Sequence, residues 1–216
     1  MNLVADLRQQ LVSLDLTVEV AAEEQLVWLL QEMLRWNRTH NLTAISDPLE
    51  GIEKHLVDSL TLLPFINEGA SLLDIGSGAG FPGLPLKIAR PSISVVSVDS
   101  VAKKISFQKH AVRKLKLDCF LAWHGRAENL PTQPFCDAQF DFIVARAFSS
   151  IQNLVELALP CLRPEGRIIA MKGPEAEHEL AEAGPWLENN GVRCLDLIRL
   201  ALPASQSVRQ LLILGR

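Results

Sequence analysis

Leu72-Leu73-Asp74-Ile75-Gly76-Ser77-Gly78-Ala79-Gly80-Phe81-Pro82-Gly83 is a short apolar strand that runs straight into a glycine-dense turn. Glycine is costly in chain entropy, so four of them within eight residues point to a sharp backbone path with no Cβ between main chain and ligand. A turn of this kind after a first strand places its ligand at the carboxyl ends of the strands of an open α/β sheet. Asp99 closes a second apolar run 23 residues beyond Gly76, where a carboxylate can accept hydrogen bonds from both ribose hydroxyls of an adenosine cofactor. Turn, spacing and acid together mark a nucleoside-cofactor site.

Two registers of the turn lead to two cofactors. Gly78-Ala79-Gly80-Phe81-Pro82-Gly83 satisfies the GxGxxG pattern of dinucleotide binders and keeps a nicotinamide oxidoreductase open. In the other register Asp74 precedes Gly76, Gly78 and Gly80. An acid there suits the cationic groups of S-adenosylmethionine and would repel a pyrophosphate. The second register is the better fit.

Outward from the turn, the sequence after Asn67 alternates between strand and helix. Strands are expected at Leu72–Ile75, Ile93–Asp99, Cys119–Trp123, Phe140–Ala145, Arg167–Met171, Cys194–Leu200 and Arg209–Leu214, and helices at Gly83–Ala89, Val101–Lys116, Ile151–Leu162 and Glu175–Asn190. Only a short segment around Pro203–Ser207 separates the last two strands, too short for a crossover helix, so they read as an antiparallel hairpin. The expected fold is therefore α/β and Rossmann-like, with a seven-stranded, mostly parallel sheet that resembles the class I methyltransferase one rather than the all-parallel dehydrogenase one. Residues 1–66 carry helical periodicity instead, over Glu19–Arg38 and again from an Asp47 cap and Pro48 toward Leu63. We expect a helical extension over 1–66, packed on a Rossmann-like domain over 67–216.

Composition narrows the setting. With 48% hydrophobic and 21% charged residues, the chain has the make-up of a globular domain rather than a disordered one. No apolar run approaches the ~20 residues that cross a bilayer, and Asp6 and Arg8 interrupt the start, so a cytoplasmic address is expected. Cys119, Cys136, Cys161 and Cys194 form no CxxC pair, which argues for reduced core cysteines and against a metal site.

A net charge of −4 speaks against bulk attraction to nucleic acid but hides a local asymmetry. Val101–Leu117 holds six Lys or Arg and no acid. Val101, Ile105, Gln108, Val112 and Leu115 share one helical stripe, which leaves Lys103, Lys109, His110, Arg113 and Lys114 on the outer arc. Such an arc is either a solvated face or an RNA-facing one.

Several further motifs make the chain resemble a known family over nearly its whole length. Trp36-Asn37 with Asn41-Leu42-Thr43, Lys54-His55-Leu56-Val57-Asp58-Ser59, the Asp74–Gly83 turn, Asp99-Ser100, Arg126-Ala127-Glu128, Ala145-Arg146-Ala147-Phe148 and Met171-Lys172-Gly173 follow in order. They are similar to those of the bacterial small-subunit rRNA guanine-N7 methyltransferases, also called the glucose-inhibited division protein B family. The resemblance implies methyl transfer from S-adenosylmethionine to N7 of one guanine in the decoding-region (530) loop of 16S rRNA. It also implies cofactor contacts from Gly76, Phe81, Ala127, Glu128 and Arg146.

Motif and resemblance together give a cofactor set of Asp74, Gly76, Gly78, Gly80, Phe81, Asp99, Ser100, Ala127, Glu128 and Arg146. The expected RNA-facing set is Arg38, Lys54, His55, Lys103, Lys104, Lys109, Arg113, Lys114 and Lys172, its partner 16S rRNA or a small-subunit precursor met by a monomer. Lys54 stands where the family more often has Arg, so no bidentate phosphate clamp is expected there.

Guanine N7 already carries an in-plane lone pair, so it attacks a methyl without first losing a proton, and no acid or base residue is expected. Arg146 could hold the cofactor carboxylate or position the guanine O6. A non-catalytic RNA-binding assembly factor and a small-molecule methyltransferase remain as rival readings.

Overall fold

The computed structural model describes residues 2–136 and 139–216. Its seven strands are β1 (Ser71–Ile75), β2 (Ser94–Asp99), β3 (Phe120–His124), β4 (Phe140–Arg146), β5 (Leu162–Lys172), β6 (Arg193–Ala201) and β7 (Val208–Gly215). They lie in one sheet in the order β3-β2-β1-β4-β5-β7-β6. The pairs from β3 to β5 are parallel, and β7 runs antiparallel to both β5 and β6. The expected terminal hairpin is therefore present. Strand order reverses at β1, between β2 and β4, which opens a crevice above its carboxyl end where Gly76 begins the turn.

Crossovers are made by α5 (Gly83–Ala89), α6 (Ala102–Leu115), α7 (Ile151–Ala158) and α8 (Ala176–Asn189). Two prolines reshape the expected boundaries. Pro160 shortens the third crossover helix, which gives way to a 3-10 turn at Leu159–Cys161. β5 starts at Leu162 rather than Arg167, and a bulge around Pro164 shifts its register against β4.

The first 66 residues form α1 (Leu3–Val12), α2 (Val20–His40), α3 (Pro48–Gly51) and α4 (Asp58–Leu60). Asp47 Oδ1 accepts the amides of Leu49 and Glu50, both at 2.9 Å, with Pro48 at the first helical position, as the sequence leads one to expect. The helix does not continue regularly to Leu63. A π-helical segment at Ile52–Val57 lies between α3 and α4, a local widening of the turn that regular periodicity does not announce.

Leu7, Leu11, Leu26, Leu30, Met33 and Leu56 of these helices share one apolar cluster with Phe107, Val144 and Ile169 beneath the sheet. Each such buried side chain contributes about 1.5–3 kcal/mol. Polar clasps add to this, since Glu53 Oε1 accepts the amides of Ala204 (2.6 Å) and Ser205 (2.8 Å) and so ties the π segment to the β6–β7 turn. α7 and α8 cover the opposite face with a second cluster.

Candidate active site

Gly76, Gly78 and Gly80 have φ of +70°, +60° and +97°, which L side chains rarely adopt. The loop they make is held from both ends. Ser77 donates its amide to Val98 O at 3.0 Å, and Gln108 Nε2 donates to Ser77 Oγ (2.9 Å) and Gly78 O (2.8 Å). Asp99 is fixed in turn, accepting the amides of Gly78 on Oδ2 and Val101 on Oδ1, each at 2.8 Å. Each oxygen keeps a second lone pair, and Asp99 lines the cleft beside the turn, where a ribose diol could donate. Gln108 carries no local sign of this role, because it sits on the apolar stripe of α6.

Gly76, Asp99, Ser100, Ala127 and Glu128 line one cleft of about 240 Å³, with Phe148 and Leu157 as its apolar walls. Phe148 also dictates the glycine below it, since a Cβ on Gly76 would stand 3.2 Å from its ring. Gly76→Ala adds this contact to a strained φ costing roughly 1–2 kcal/mol. We expect about tenfold weaker cofactor binding, read by calorimetric titration with S-adenosylmethionine.

Asp74 lies behind the loop, fully buried. Oδ2 accepts the Gly83 amide at 2.8 Å, while Oδ1 has no partner among the described residues. Burial raises its pKa to about 7, against the lowering effects of the Gly83 amide and the Arg146 charge. An orphaned acceptor beside the glycine turn, a ribose-ready Asp99 and an apolar slot fit the ammonium, ribose and adenine of S-adenosylmethionine.

A second cleft, about 350 Å³, opens beside the first and is lined by Ile45, Lys54, His55, Asp58, Arg146 and Arg209 among others. Asp58 joins the two arginines, accepting Arg209 Nε on Oδ1 at 3.0 Å and Arg146 Nη1 on Oδ2 at 3.4 Å. Arg146 Nη1 also donates to Lys54 O at 2.8 Å, and its Cζ stands 5.9 Å above the Phe81 ring. Phe81 is 2% exposed, its ring packs against His55 and Arg146, and it is not among the residues that line the cofactor cleft.

Two residues expected to face RNA are committed elsewhere. Burial, then the charges of Arg146 and Lys54, lower the His55 pKa to about 3. The guanidinium can only donate, so Nδ1, 3.5 Å from Arg146 Nη2, is the acceptor and the proton resides on Nε2, donated to Thr43 Oγ1 at 3.1 Å. A buried neutral ring is no phosphate contact. Lys172 spends its ammonium on Phe148 O (3.2 Å), Ser149 O (3.1 Å) and Glu179 Oε1 (3.0 Å). Glu179 also accepts the Ile151 amide, so the pair pins the loop that carries Phe148.

The remaining cations do not converge on one spot. α2 and α6 run antiparallel, with Trp36 edge-on to Phe107 at 5.6 Å and Glu32 3.0 Å from His110. Lys103 and half-buried Lys104 thus lie at the cofactor end of α6, beside the end of α2 that carries exposed Arg38. Lys109 lies on the middle of the exposed face, and Arg113 and Lys114 are roughly 15 Å along the helix from Lys103. His110 is not on the solvent arc, because its ring is wedged between Trp28 and Trp36. Cys119 likewise departs from expectation, being exposed at a φ of +52° while Cys161 is buried. Among the described residues no group of His, Cys, Asp or Glu could hold a metal ion.

Reversed last strand, glycine turn after β1 and acid after β2 define a Rossmann-like class I S-adenosylmethionine-dependent methyltransferase fold. Solved structures share it: the Bacillus subtilis m1A22 tRNA methyltransferase TrmK (TM-score 0.60, 17% identity, 76% of this chain and 67% of that one) and a SAM-dependent methyltransferase from Aquifex aeolicus (0.59, 22%, 79% and 94%). The chain belongs to the rRNA small subunit methyltransferase G (GidB) family, which matches residues 22–201. Ribosomal RNA small subunit methyltransferase G of Syntrophotalea carbinolica is 47% identical over 210 residues, 97% of this chain and 96% of that protein. Its namesake in Geobacter sulfurreducens is 43% identical over 203 residues, 93% of each. Membership of a methyltransferase family answers the nicotinamide reading of Gly78–Gly83.

Proposed function

We propose that this protein methylates N7 of a guanine in the 530 loop of 16S rRNA, with the target base in the Arg146 cleft. Family membership carries the class, an S-adenosylmethionine-dependent rRNA methyltransferase. The observation that carries the geometry is a shared wall. Arg146 and Ala147 line the cationic cleft, and the next residue, Phe148, lines the cofactor cleft. A base in one therefore presents its edge to the other.

When bound, S-adenosylmethionine supplies an electrophilic methyl on a sulfonium. Asp74, Gly76, Asp99, Ser100, Ala127 and Glu128 hold and orient it, while Gly78, Gly80 and Phe81 shape the wall behind. Arg146, held by Asp58, Lys54 O and neutral His55, offers its remaining donors to a carboxylate or to guanine O6. No residue has to move a proton, because the attacking lone pair is free from the start. Holding reactants ~3–3.5 Å apart and excluding water is the whole task.

In this reading residues 1–66 are a helical extension that completes the RNA-facing cleft on the 67–216 methyltransferase domain. The enzyme works as a cytoplasmic monomer on 16S rRNA or a small-subunit precursor. Arg38, Lys54, Lys103, Lys104, Lys109, Arg113 and Lys114 supply phosphate contacts. Among the described residues no helix is long and apolar enough to cross a membrane.

Labelled-methyl transfer to rRNA from cells lacking the gene, with mass-spectrometric mapping of the product, tests the reading. N7-methylguanine in the 530 loop is expected. No incorporation into naked rRNA or any small-subunit precursor would leave the assembly-factor reading in its place.

A further inference from the structure

The segment from Asn41 to Asp47 has a cleft on each side. Ile45 lines the Arg146 cleft, whereas Asn41, Ser46 and Pro48 line a separate cleft of about 560 Å³ whose floor is α2, with Leu34, Arg35 and Arg38. Among the described residues no acid lines this second space, in a chain where acids outnumber bases 25 to 21. Arg38 is exposed and makes no hydrogen bond or ion pair among the described residues. Arg35 gives one nitrogen to Glu32 at 2.7 Å and is otherwise 72% exposed.

The partition between the clefts is built, not loose. Asn37 Oδ1 accepts the amides of Leu42 (2.7 Å) and Thr43 (2.9 Å), and its Nδ2 donates to Ile45 O at 3.4 Å. Thr43 Oγ1 accepts from the Ile45 amide at 3.2 Å and from His55 Nε2 at 3.1 Å. His55 in turn abuts Arg146. One chain of contacts thus fixes the partition relative to the arginine of the methyl-transfer cleft.

We propose that this α2 cleft is a second nucleotide subsite, holding the rRNA residue that neighbours the methylated guanine. The proposal rests on the rRNA-methyltransferase reading above. The unpaired Arg38 guanidinium and the exposed remainder of the Arg35 guanidinium, one nitrogen of which is held by Glu32, take a phosphate, and Leu34 and Pro48 give a flat base an apolar seat beside the amides of Gln31 and Asn41. An RNA strand that fills both clefts must straddle Asn41–Asp47. The two bases then cannot stack on each other, so the partition acts as the wedge that unstacks the target.

Arg38→Ala removes an exposed, unpaired side chain, and Ser46→Trp fills the cleft without changing charge. Binding of an rRNA hairpin is followed by fluorescence anisotropy across salt concentrations, alongside methyl transfer and S-adenosylmethionine titration. For Arg38→Ala we expect about tenfold weaker RNA binding, a slope of log K against log salt shallower by about 0.7, and unchanged cofactor affinity. Ser46→Trp should weaken RNA binding with the slope intact, and Arg113→Ala should alter binding less than Arg38→Ala. Wild-type RNA affinity and slope in both Arg38→Ala and Ser46→Trp would overturn the subsite. Loss of RNA binding in both variants of a protein that binds rRNA without methylating it would keep the subsite and sink only the catalytic reading. A wild-type protein that binds no rRNA would overturn both.

Discussion

Asp58→Ala is expected to lower the stability of the chain by roughly 3–5 kcal/mol and to reduce methyl transfer to background. Asp58 is 2% exposed and is the only carboxylate, among the described residues, bonded to Arg146 or Arg209. Arg146 comes from the end of β4 and Arg209 from the start of β7, so both are carried on the sheet and cannot easily retreat from each other. Without the acid, two guanidinium groups face one another in a partly desolvated cleft, and the orientation of Arg146 is lost with its partner. Denaturant unfolding measures the first effect and single-turnover methyl transfer the second. Asp58→Ala combined with Arg209→Met removes one of the stranded charges and should recover part of the stability. A loss under 1 kcal/mol, or no recovery in the pair, would show that the carboxylate does not bridge the arginines.

Asp58 also shows where the sequence stops being legible. The strands announced themselves through runs such as Leu72–Ile75 and Phe140–Ala145, because burial on both faces of a parallel sheet demands mostly apolar stretches, each here interrupted by a single Asp. The glycine turn and Asp99 were legible for the same local reason, with special φ and a fixed spacing written into adjacent residues. By contrast, the π segment at Ile52–Val57 has no periodic signature, and it carries Glu53, Lys54 and His55 into contact with elements far along the chain. Whether a cation is free is decided at such distances. Lys172 and His55 look like RNA contacts by type, yet Glu179, two carbonyls and Thr43 have already claimed them. Arg38, of the same type, has no such claimant among the described residues. Residue chemistry proposed these side chains for the site, and only the packing sorted them.

The second large effect concerns pH. Asp74, with a folded pKa near 7 against 3.8 unfolded, favours a protonated fold. Its contribution is complete below pH 3.8 and is lost as pH rises through 7, to an extent of about 4 kcal/mol at most. His55 runs the other way. Its folded pKa near 3, against 6.5, gives stability that is present above pH 6.5 and lost as pH falls through 3. Between about pH 4 and 6.5 the two slopes oppose each other, so these groups leave the wild-type stability nearly flat there. Asp74→Asn removes the first slope and exposes the second, and chemical unfolding should find that variant losing stability steadily from pH 6.5 downward. The proposed cofactor contact calls on the same carboxylate. An ammonium or sulfonium beside Asp74 Oδ1 lowers its pKa, so binding S-adenosylmethionine releases a proton below pH 7. Affinity should climb by up to about tenfold per pH unit toward neutrality and then level off, and the Asp74→Asn variant should lack that slope. Calorimetric titrations from pH 5.5 to 7.5, in two buffers of different ionisation enthalpy, report both the slope and the released proton. A wild-type affinity that is flat over this range, with no proton released, would mean that the buried acid never meets the cofactor's charge.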